Sequence, residues 1–245
     1  MIFGGDGTVH RHLAEFANTD IPVLAVPCGS GNDLARVAGT GTAGRALLAW
    51  QKILEGTALV QATDLGVISA AGLSQPRYFS CCANVGMDAD AARRTDSMPD
   101  ALKSRGGYFI GGLMALASYK PRDITIQSDS GAIREPGWFV SVSNTPTYGG
   151  GLNIAPQASV TDGQLDITFA PVRHFSRASL AGHFPKIFSG RHVEVPELNI
   201  FQTKTLTIET PAPQDIYADG EFISQTPCQI TIAPGALRLV TARVR

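Results

Sequence analysis

No apolar run in this chain comes near the roughly 18 residues that a membrane-spanning helix needs. The longest, Tyr108 to Ala117, is short and is interrupted by Gly111-Gly112. The charged-then-apolar order of a secretory leader is also missing from the amino terminus. A cytoplasmic protein, peripheral to the membrane at most, is therefore expected. A basic excess is absent too: 20 Lys and Arg face 21 Asp and Glu, for a net charge of −1. That balance argues against nucleic acid as a partner. Cysteine is scarce. Cys28, Cys81, Cys82 and Cys228 show neither metal-ligand spacing nor a disulfide framework, so reduced thiols are expected. The adjacent pair Cys81-Cys82 sits in a strand-like run and should point to opposite faces. No repeat or low-complexity segment is visible. What is present is 245 residues with 44% hydrophobic content, enough core for one large domain or two small ones.

The first third alternates strand and helix. Ile2-Phe3 reads as a strand stub ending at Gly4-Gly5-Asp6-Gly7-Thr8. Thr8 is placed to cap a helix whose Val9, Leu13, Phe16 and Ala17 share a face. Val23 to Val26 reads as a short buried strand running into Pro27-Cys28-Gly29-Ser30-Gly31-Asn32-Asp33, and Asp33 to Val37 starts a helix. A third helix over Thr42 to Glu55 is expected to bury Leu47, Leu48, Ile53 and Leu54 and to stop at Gly56. This alternation implies a parallel sheet whose ligands bind beyond the strands' carboxyl ends. Only three residues precede the first loop, whereas a βαβ unit needs about 30. The domain is thus expected to lack its amino-terminal part, or to be completed by another segment or subunit.

Beyond about Leu59, short β-rich runs dominate. They are Thr63–Ile68, Arg77–Ala83, Ile124–Ser128, Gly137–Ser143, Leu165–Ala170, Lys204–Glu209, Gln214–Ala218, Gln229–Ile232 and Leu237–Val244. Helices near Arg105–Tyr119 and Phe175–Phe188 interrupt them. An antiparallel sandwich or barrel-like second domain is expected, with a cleft between the domains as the place for chemistry.

The two glycine-rich loops point to a polyphosphate. Glycine lets backbone amides approach phosphate oxygens without an intervening Cβ, and a helix starting behind the loop directs its first N–H groups and positive dipole end at an anion. Asp6 would set a carboxylate beside those phosphates, which is unfavourable unless it binds a cation or a proton. Gly29-Ser30-Gly31 offers a second set of amides and a hydroxyl, with Asn32 or Asp33 available as a helix cap. Asp219-Gly220-Glu221 reads on spacing alone as a polar turn between strands.

The blocks Gly4-Gly5-Asp6-Gly7-Thr8 and Val26-Pro27-Cys28-Gly29-Ser30-Gly31-Asn32-Asp33-Leu34-Ala35-Arg36 resemble the catalytic domain of diacylglycerol kinases, sphingosine kinases and their bacterial lipid-kinase relatives. The resemblance continues through Asp64-Leu65-Gly66, Asn84-Val85-Gly86-Met87-Asp88-Ala89, Asn144 with Gly149-Gly150-Gly151, Ala155-Pro156, Asp162-Gly163-Gln164-Leu165-Asp166 and Asp219-Gly220-Glu221. It implies a partial Rossmann-like three-layer α/β nucleotide domain over residues 1–60. A β-sandwich-like lipid-kinase domain over 61–245 would follow. The implied activity is transfer of the γ-phosphoryl group of ATP to a lipid hydroxyl, diacylglycerol-like, with transient membrane contact; a homo-oligomer stays open.

By the same resemblance, Gly4, Gly5, Asp6, Gly7, Thr8, Val9 and His10 would wrap the ATP phosphates, with Gly29, Ser30, Gly31 and Asn32 as further nucleotide contacts. Glu221 would accept the proton, Asp6 being the other candidate for that role. Asp162 would hold a structural Mg²⁺ with backbone oxygens of Ser159 and Gln164. The chemistry agrees: a lipid alcohol needs a carboxylate to take its proton during phosphoryl transfer, and mixed carbonyl and carboxylate oxygens suit a hard cation. Arg93, Arg94, Lys103 and Arg105 lie where members of the family contact phosphate or head groups, although a solvated face is the commoner role for such charges. The chain departs from the family at His10-Arg11, where Asn-Glu is usual. Two other readings accompany this one: an NAD kinase-like enzyme sharing the Gly-Gly-Asp-Gly-Thr loop, and a shortened, catalytically impaired homologue that only binds ligand or partner.

Overall fold

The structure, a computed structural model, describes residues 1–99, 102 and 106–242. Strand β1 (Ile2–Gly4) runs parallel to β2 (Ala25–Pro27) in a two-stranded sheet, with helix α1 (Asp6–Phe16) as the crossover. Short α2 (Asp33–Val37) and α3 (Ala43–Leu54) follow. Thr42 caps α3 by accepting the N–H of Arg45. The expected leucine face of α3 does not pack. Ala46 and Ala49 are buried, Ile53 and Trp50 lie partly buried against Leu24, and Leu47, Leu48 and Leu54 are exposed. Small alanines let the helix axis approach the strands closely, so the alanine stripe faces inward and the bulkier leucines face out.

Among the described residues, eleven antiparallel strands form a second sheet. They are β3 (Leu59–Ala70), β4 (Arg77–Phe79), β5 (Cys82–Gly86), β6 (Arg122–Ser128), β7 (Gly131–Ser143), β8 (Leu165–Pro171), β9 (Asn199–Thr203), β10 (Thr205–Glu209), β11 (Asp215–Ala218), β12 (Glu221–Gln225) and β13 (Cys228–Thr241). Their order is β12-β11-β5-β7-β6-β10-β13-β3-β4, with β8 on β7 and β9 on β8. Strand β7 pairs with β6 along its first half and with β5 and β8 along its second, the register slipping between Gly137 and Val140. That change of partners folds the sheet over on itself. The enclosed core holds Ile68, Phe79, Val140, Val142, Ile167, Phe169, Ile208 and Ile230. Gly66 and Gly137 leave room for Phe79 and Phe169; a Cβ there would fall 1.9 Å and 2.2 Å from the respective rings.

Helices α4 (Met87–Asp96), α5 (Gly107–Ser118) and α6 (Arg177–His183) pack on the outer side of β5 and β7 with Trp138, Phe139, Tyr148 and Ile154. The helix expected to reach Phe188 turns 3-10 at Phe184–Ser189, because Pro185 has no N–H for α-helical bonding. The runs Gln229–Ile232 and Leu237–Val244 are one bent strand, β13, with irregular pairing between Ala233 and Leu237; Val244 lies outside the described residues, as do Lys103 and Arg105. The α/β part rests on β13 and β3: Val9, Leu13, Val23 and Ala25 share a core with Leu65, Leu237 and Leu239, and Val23 bridges the backbone of Leu239.

Gly66→Ala is expected to lower the unfolding free energy by about 1–3 kcal/mol, the usual cost of overpacking. Combining it with Phe79→Leu should restore part of that loss in urea unfolding. A neutral Gly66→Ala would show that the Phe79 ring has room to move.

Candidate active site

The two glycine loops meet at a single point. A Cβ on Gly29 would lie 2.5 Å from the Cα of Gly5, and one on Gly5 would lie 3.0 Å from that of Gly29. The N–H of Cys28 donates to Gly4 O at 3.1 Å, carrying the strand pairing into the loops. Gly5, and not Thr8, is the N-cap of α1, because the N–H groups of Thr8 and Val9 both turn back to Gly5 O. The helix therefore begins at Asp6; the N–H groups of Asp6 and Gly7 have no acceptor within the helix, and both residues line the cleft. In the second loop Asn32 adopts a left-handed conformation and its side chain bonds back to Gly29, whose N–H it occupies. Neither Asn32 nor Asp33 caps α2 with its side chain. The Asp33 carboxylate is instead shared by Arg36, Thr147 and the N–H of Gly150, which ties the loop to Gly149-Gly150.

A turn of the β-rich part closes the cleft. Asp219 and Gly220, both at positive φ (50° and 87°), make the two-residue connection between β11 and β12, the geometry a tight hairpin needs. Buried Asp219 points back into the protein. Its carboxylate accepts the N–H groups of Ser80, Cys81 and Cys82, the Ser80 hydroxyl, and shares a hydrogen bond of 3.2 Å with His10 Nδ1. Burial alone would raise this carboxyl; His10 and the Ser80 and Cys81 amides outweigh it and hold the group below the usual carboxylate value. Those same bonds split the expected strand Arg77–Ala83 into β4 and β5, since amides turned towards a carboxylate leave the ladder. Cys81 and Cys82 do fall into different core clusters.

Glu221, first in β12, then stands over the first loop. A Cβ on Gly7 would lie 2.8 Å from Glu221 Oε1, and Arg11 Nη2 donates to that oxygen at 3.2 Å. Together with Gly5, Asp6, Gly7, Gly29, Ser30 and Gly31 it lines a cleft of about 500 Å³. Asp6 lies beside Gly31 and accepts the N–H of Leu34. Burial, then the nearby charges of Asp33 and Asp219, raise its carboxyl to about 6.

Of the other residues expected at the nucleotide, Val9 lies in the core and His10 behind the loop against Asp219. Gly4 packs on Thr8. Asp162 lies apart from the cleft, accepting the Gln164 N–H at 3.0 Å; Ser159 shares a hydrogen bond with Thr161. Among the described residues no three His, Cys, Asp or Glu side chains converge as a metal cluster.

Sequence reasoning singled out no role for Asn84, Tyr108 or Tyr148, which also line the cleft. Asn84 Oδ1 is buried and without a hydrogen-bond partner among the described residues. Behind the two tyrosines, whose rings meet edge to face at 5.4 Å, lies a narrow apolar cavity of about 50 Å³. Its walls include Met87, Gly112, Phe139, Leu152 and Phe184, and its one carboxyl, Asp88, is held by Tyr148 at 2.7 Å and raised by burial to about 6.

Residues 1–67 match the diacylglycerol kinase catalytic domain family, and residues 81–241 match the YegS C-terminal NAD kinase beta sandwich-like domain family. A diacylglycerol kinase of Mycobacterium tuberculosis is 35% identical over 99% of this chain and 76% of its own length. The chain belongs to the diacylglycerol kinase and YegS lipid-kinase family. It is an ATP-dependent lipid kinase. A Citrobacter koseri protein named probable lipid kinase YegS-like is 28% identical over 96% of this chain and 75% of its own. A crystal structure of a diacylglycerol kinase from Bacillus anthracis shares the fold, with a TM-score of 0.75 at 22% identity, covering 98% of this chain and 76% of that one. Yeast NADH kinase shares it more distantly, with a TM-score of 0.51 at 13% identity over 98% of this chain and 60% of that one. The NAD kinase reading therefore keeps a likeness of fold alone.

Asp6→Asn tests the charge crowding. With a folded-state value near 6 and an unfolded one near 4, ionised Asp6 costs the fold stability. That cost is absent below about pH 4 and complete above about pH 6. Asp6→Asn should therefore raise the melting temperature of the nucleotide-free protein at pH 7.5, by an amount worth about 1–3 kcal/mol, and the gain should shrink as the pH falls towards 4. A gain equal at both pH values would point to another cause.

Proposed function

We propose that this lipid kinase transfers the γ-phosphoryl group of ATP to the hydroxyl of a diacylglycerol-like lipid, with Glu221 as proton acceptor. The observation that carries the reading is the position of the Glu221 carboxylate over Gly7, at the start of α1. Phosphates drawn to the first N–H groups of that helix would sit next to a carboxylate of the β-rich part suited to take a proton from an incoming alcohol. Gly5, Gly7, Ser30 and Gly31 would surround the triphosphate. Asp6, crowded by Asp33 and Asp219, is relieved when a cation arrives, which suits it to the magnesium ion that accompanies ATP. An amphiphile's apolar part has a neighbour in the cavity behind Tyr108 and Tyr148, with room there for the start of an acyl chain.

Mg²⁺ at Asp162 is the second part of the proposal. The donors there are oxygens, and Asp166 nearby is raised to about 6, first by burial, with the Asp162 charge adding to it. Gln202 Nε2 reaches both carboxylates at 3.3–3.4 Å. A hard cation fits such a set, with backbone oxygens of Ser159 and Gln164 completing it. When bound, it would neutralise the acidic turn before β8.

Radiolabelled ATP offered with diacylglycerol in mixed micelles, and separately with NAD, tests the reading: label should enter the lipid, and label entering NAD would overturn it. Glu221→Gln should keep ATP binding by calorimetry while turnover drops by about two orders of magnitude or more, the contribution of a positioned base. A variant retaining most activity would move the base to Asp6. Asp162→Ala should abolish any rise in melting temperature produced by Mg²⁺; curves of wild type and variant that respond alike would remove the ion from this turn.

A further inference from the structure

Helix α5 carries no Asp, Glu, Lys, Arg or His, yet several of its large apolar side chains are open to solvent. Phe109, Leu113 and Met114 are 41–45% exposed, and across from them on the 3-10 segment Phe188 is 52% exposed. Phe109 and Phe188 form one patch with Phe184, the Phe109 ring lying 5.8 Å from that of Phe184 and 5.9 Å from that of Phe188, and Leu113 continues it one helical turn beyond Phe109. The patch adjoins the apolar cavity, because Gly112 and Phe184, which stand between its residues, are walls of that cavity. The segments that carry it contain no acid: from Gly107 to Arg122 and from Arg173 to Val193 there is no Asp or Glu. Lys186 is exposed on one side of Phe188 in sequence, and Arg191 on the other is exposed and pairs with Glu194 at 3.4 Å.

We propose that this patch docks on an anionic phospholipid bilayer, with Phe109, Leu113 and Phe188 entering the interface and Lys186 meeting lipid phosphates, joined by Arg191 once its exposed and therefore weak pair with Glu194 opens. Exposed aromatic and aliphatic side chains flanked by cations are the composition of an interfacial anchor. A polypeptide partner offers less to this face, since its cations would need acidic groups placed between buried apolar contacts. Docking here brings the cavity mouth to the membrane surface, so a lipid's tail could pass from bilayer to cavity without crossing water. The inference rests on the lipid-kinase reading for its purpose, but the binding itself is measured without turnover.

Sedimentation with vesicles of phosphatidylcholine alone, or with added phosphatidylglycerol, tests it. The wild-type protein should bind the anionic vesicles more tightly. A Phe109→Gln/Phe188→Gln double variant should bind them at least about tenfold more weakly with an unchanged melting temperature, and Leu113→Gln gives a milder second case. Lys186→Glu should weaken binding to anionic vesicles only. Turnover of long-chain diacylglycerol presented in vesicles should fall with binding, while turnover of water-soluble dihexanoylglycerol holds. Equal vesicle binding by wild type and double variant would overturn the proposal. So would equal loss on both substrates, or an oligomer that the variants dissociate without affecting vesicle binding, which would make the face a contact between copies. A wild-type protein that binds vesicles but phosphorylates neither substrate would defeat the kinase reading and leave the docking face standing.

Discussion

The site depends on one buried carboxylate. Asp219 gathers the N–H groups of Ser80, Cys81 and Cys82 and the ring of His10, and so fastens three pieces of chain that are remote in sequence: α1, the β4–β5 break and the β11–β12 turn. A charge this buried is tolerable only because every direction of approach is filled by a donor. Removing any donor leaves part of the ionic cost unmet, so the arrangement holds as a unit. Since Glu221 follows two residues later in a turn of fixed geometry, its place over Gly7 is a consequence of where Asp219 is held. The acid at the cleft is positioned by the acid that faces inward.

The two glycine loops are subject to a second constraint, which is contact with each other. Gly5 and Gly29 touch backbone to backbone, and Gly31 gives way to the Asp6 carboxylate. These glycines serve two purposes with one property: the missing Cβ that admits a phosphate also admits the neighbouring loop. Close approach explains why Asp6 is crowded by Asp33 and Asp219. The polar cleft and the apolar cavity then meet at Tyr108 and Tyr148, which line both.

How much of this was legible in the sequence depends on range. The loops and the first helices were readable because glycine spacing and helical periodicity are local. Resemblance to a known family, and no feature of its spacing, drew attention to Asp219-Gly220-Glu221. Its anchoring role was hidden because the partners of Asp219 lie more than a hundred residues away in sequence. Helix α4 escaped notice because Met87–Asp96 buries itself through alanines amid five charged side chains, and α3 was assigned the wrong face for the same reason, small residues packing where leucines were expected. Strand β12 is short, polar and at the sheet edge, so it lacks the alternation that marks a half-buried strand. The tyrosine wall and the exposed apolar patch needed tertiary structure, since exposure of Phe109 or Phe188 cannot be read from hydrophobicity.

Arg11 bears on whether the site works. It occupies a position where the family usually has Glu, and its guanidinium lies on the carboxylate proposed to take the proton. A strong pair there would hold Glu221 away from a substrate and favour a remnant that only binds. The geometry argues the other way. The Arg11 side chain is 71% and that of Glu221 37% exposed, and pairs so open to water are worth about 0.2–1 kcal/mol. Opening such a contact costs about as much as thermal energy, so Glu221 is released at little expense when phosphates and an alcohol arrive. Holding the turn falls to His10 and Asp219, whose side chains are almost fully buried. The departure from the family pattern therefore changes the charge at the rim of the cleft and leaves in place the buried contact that positions Glu221.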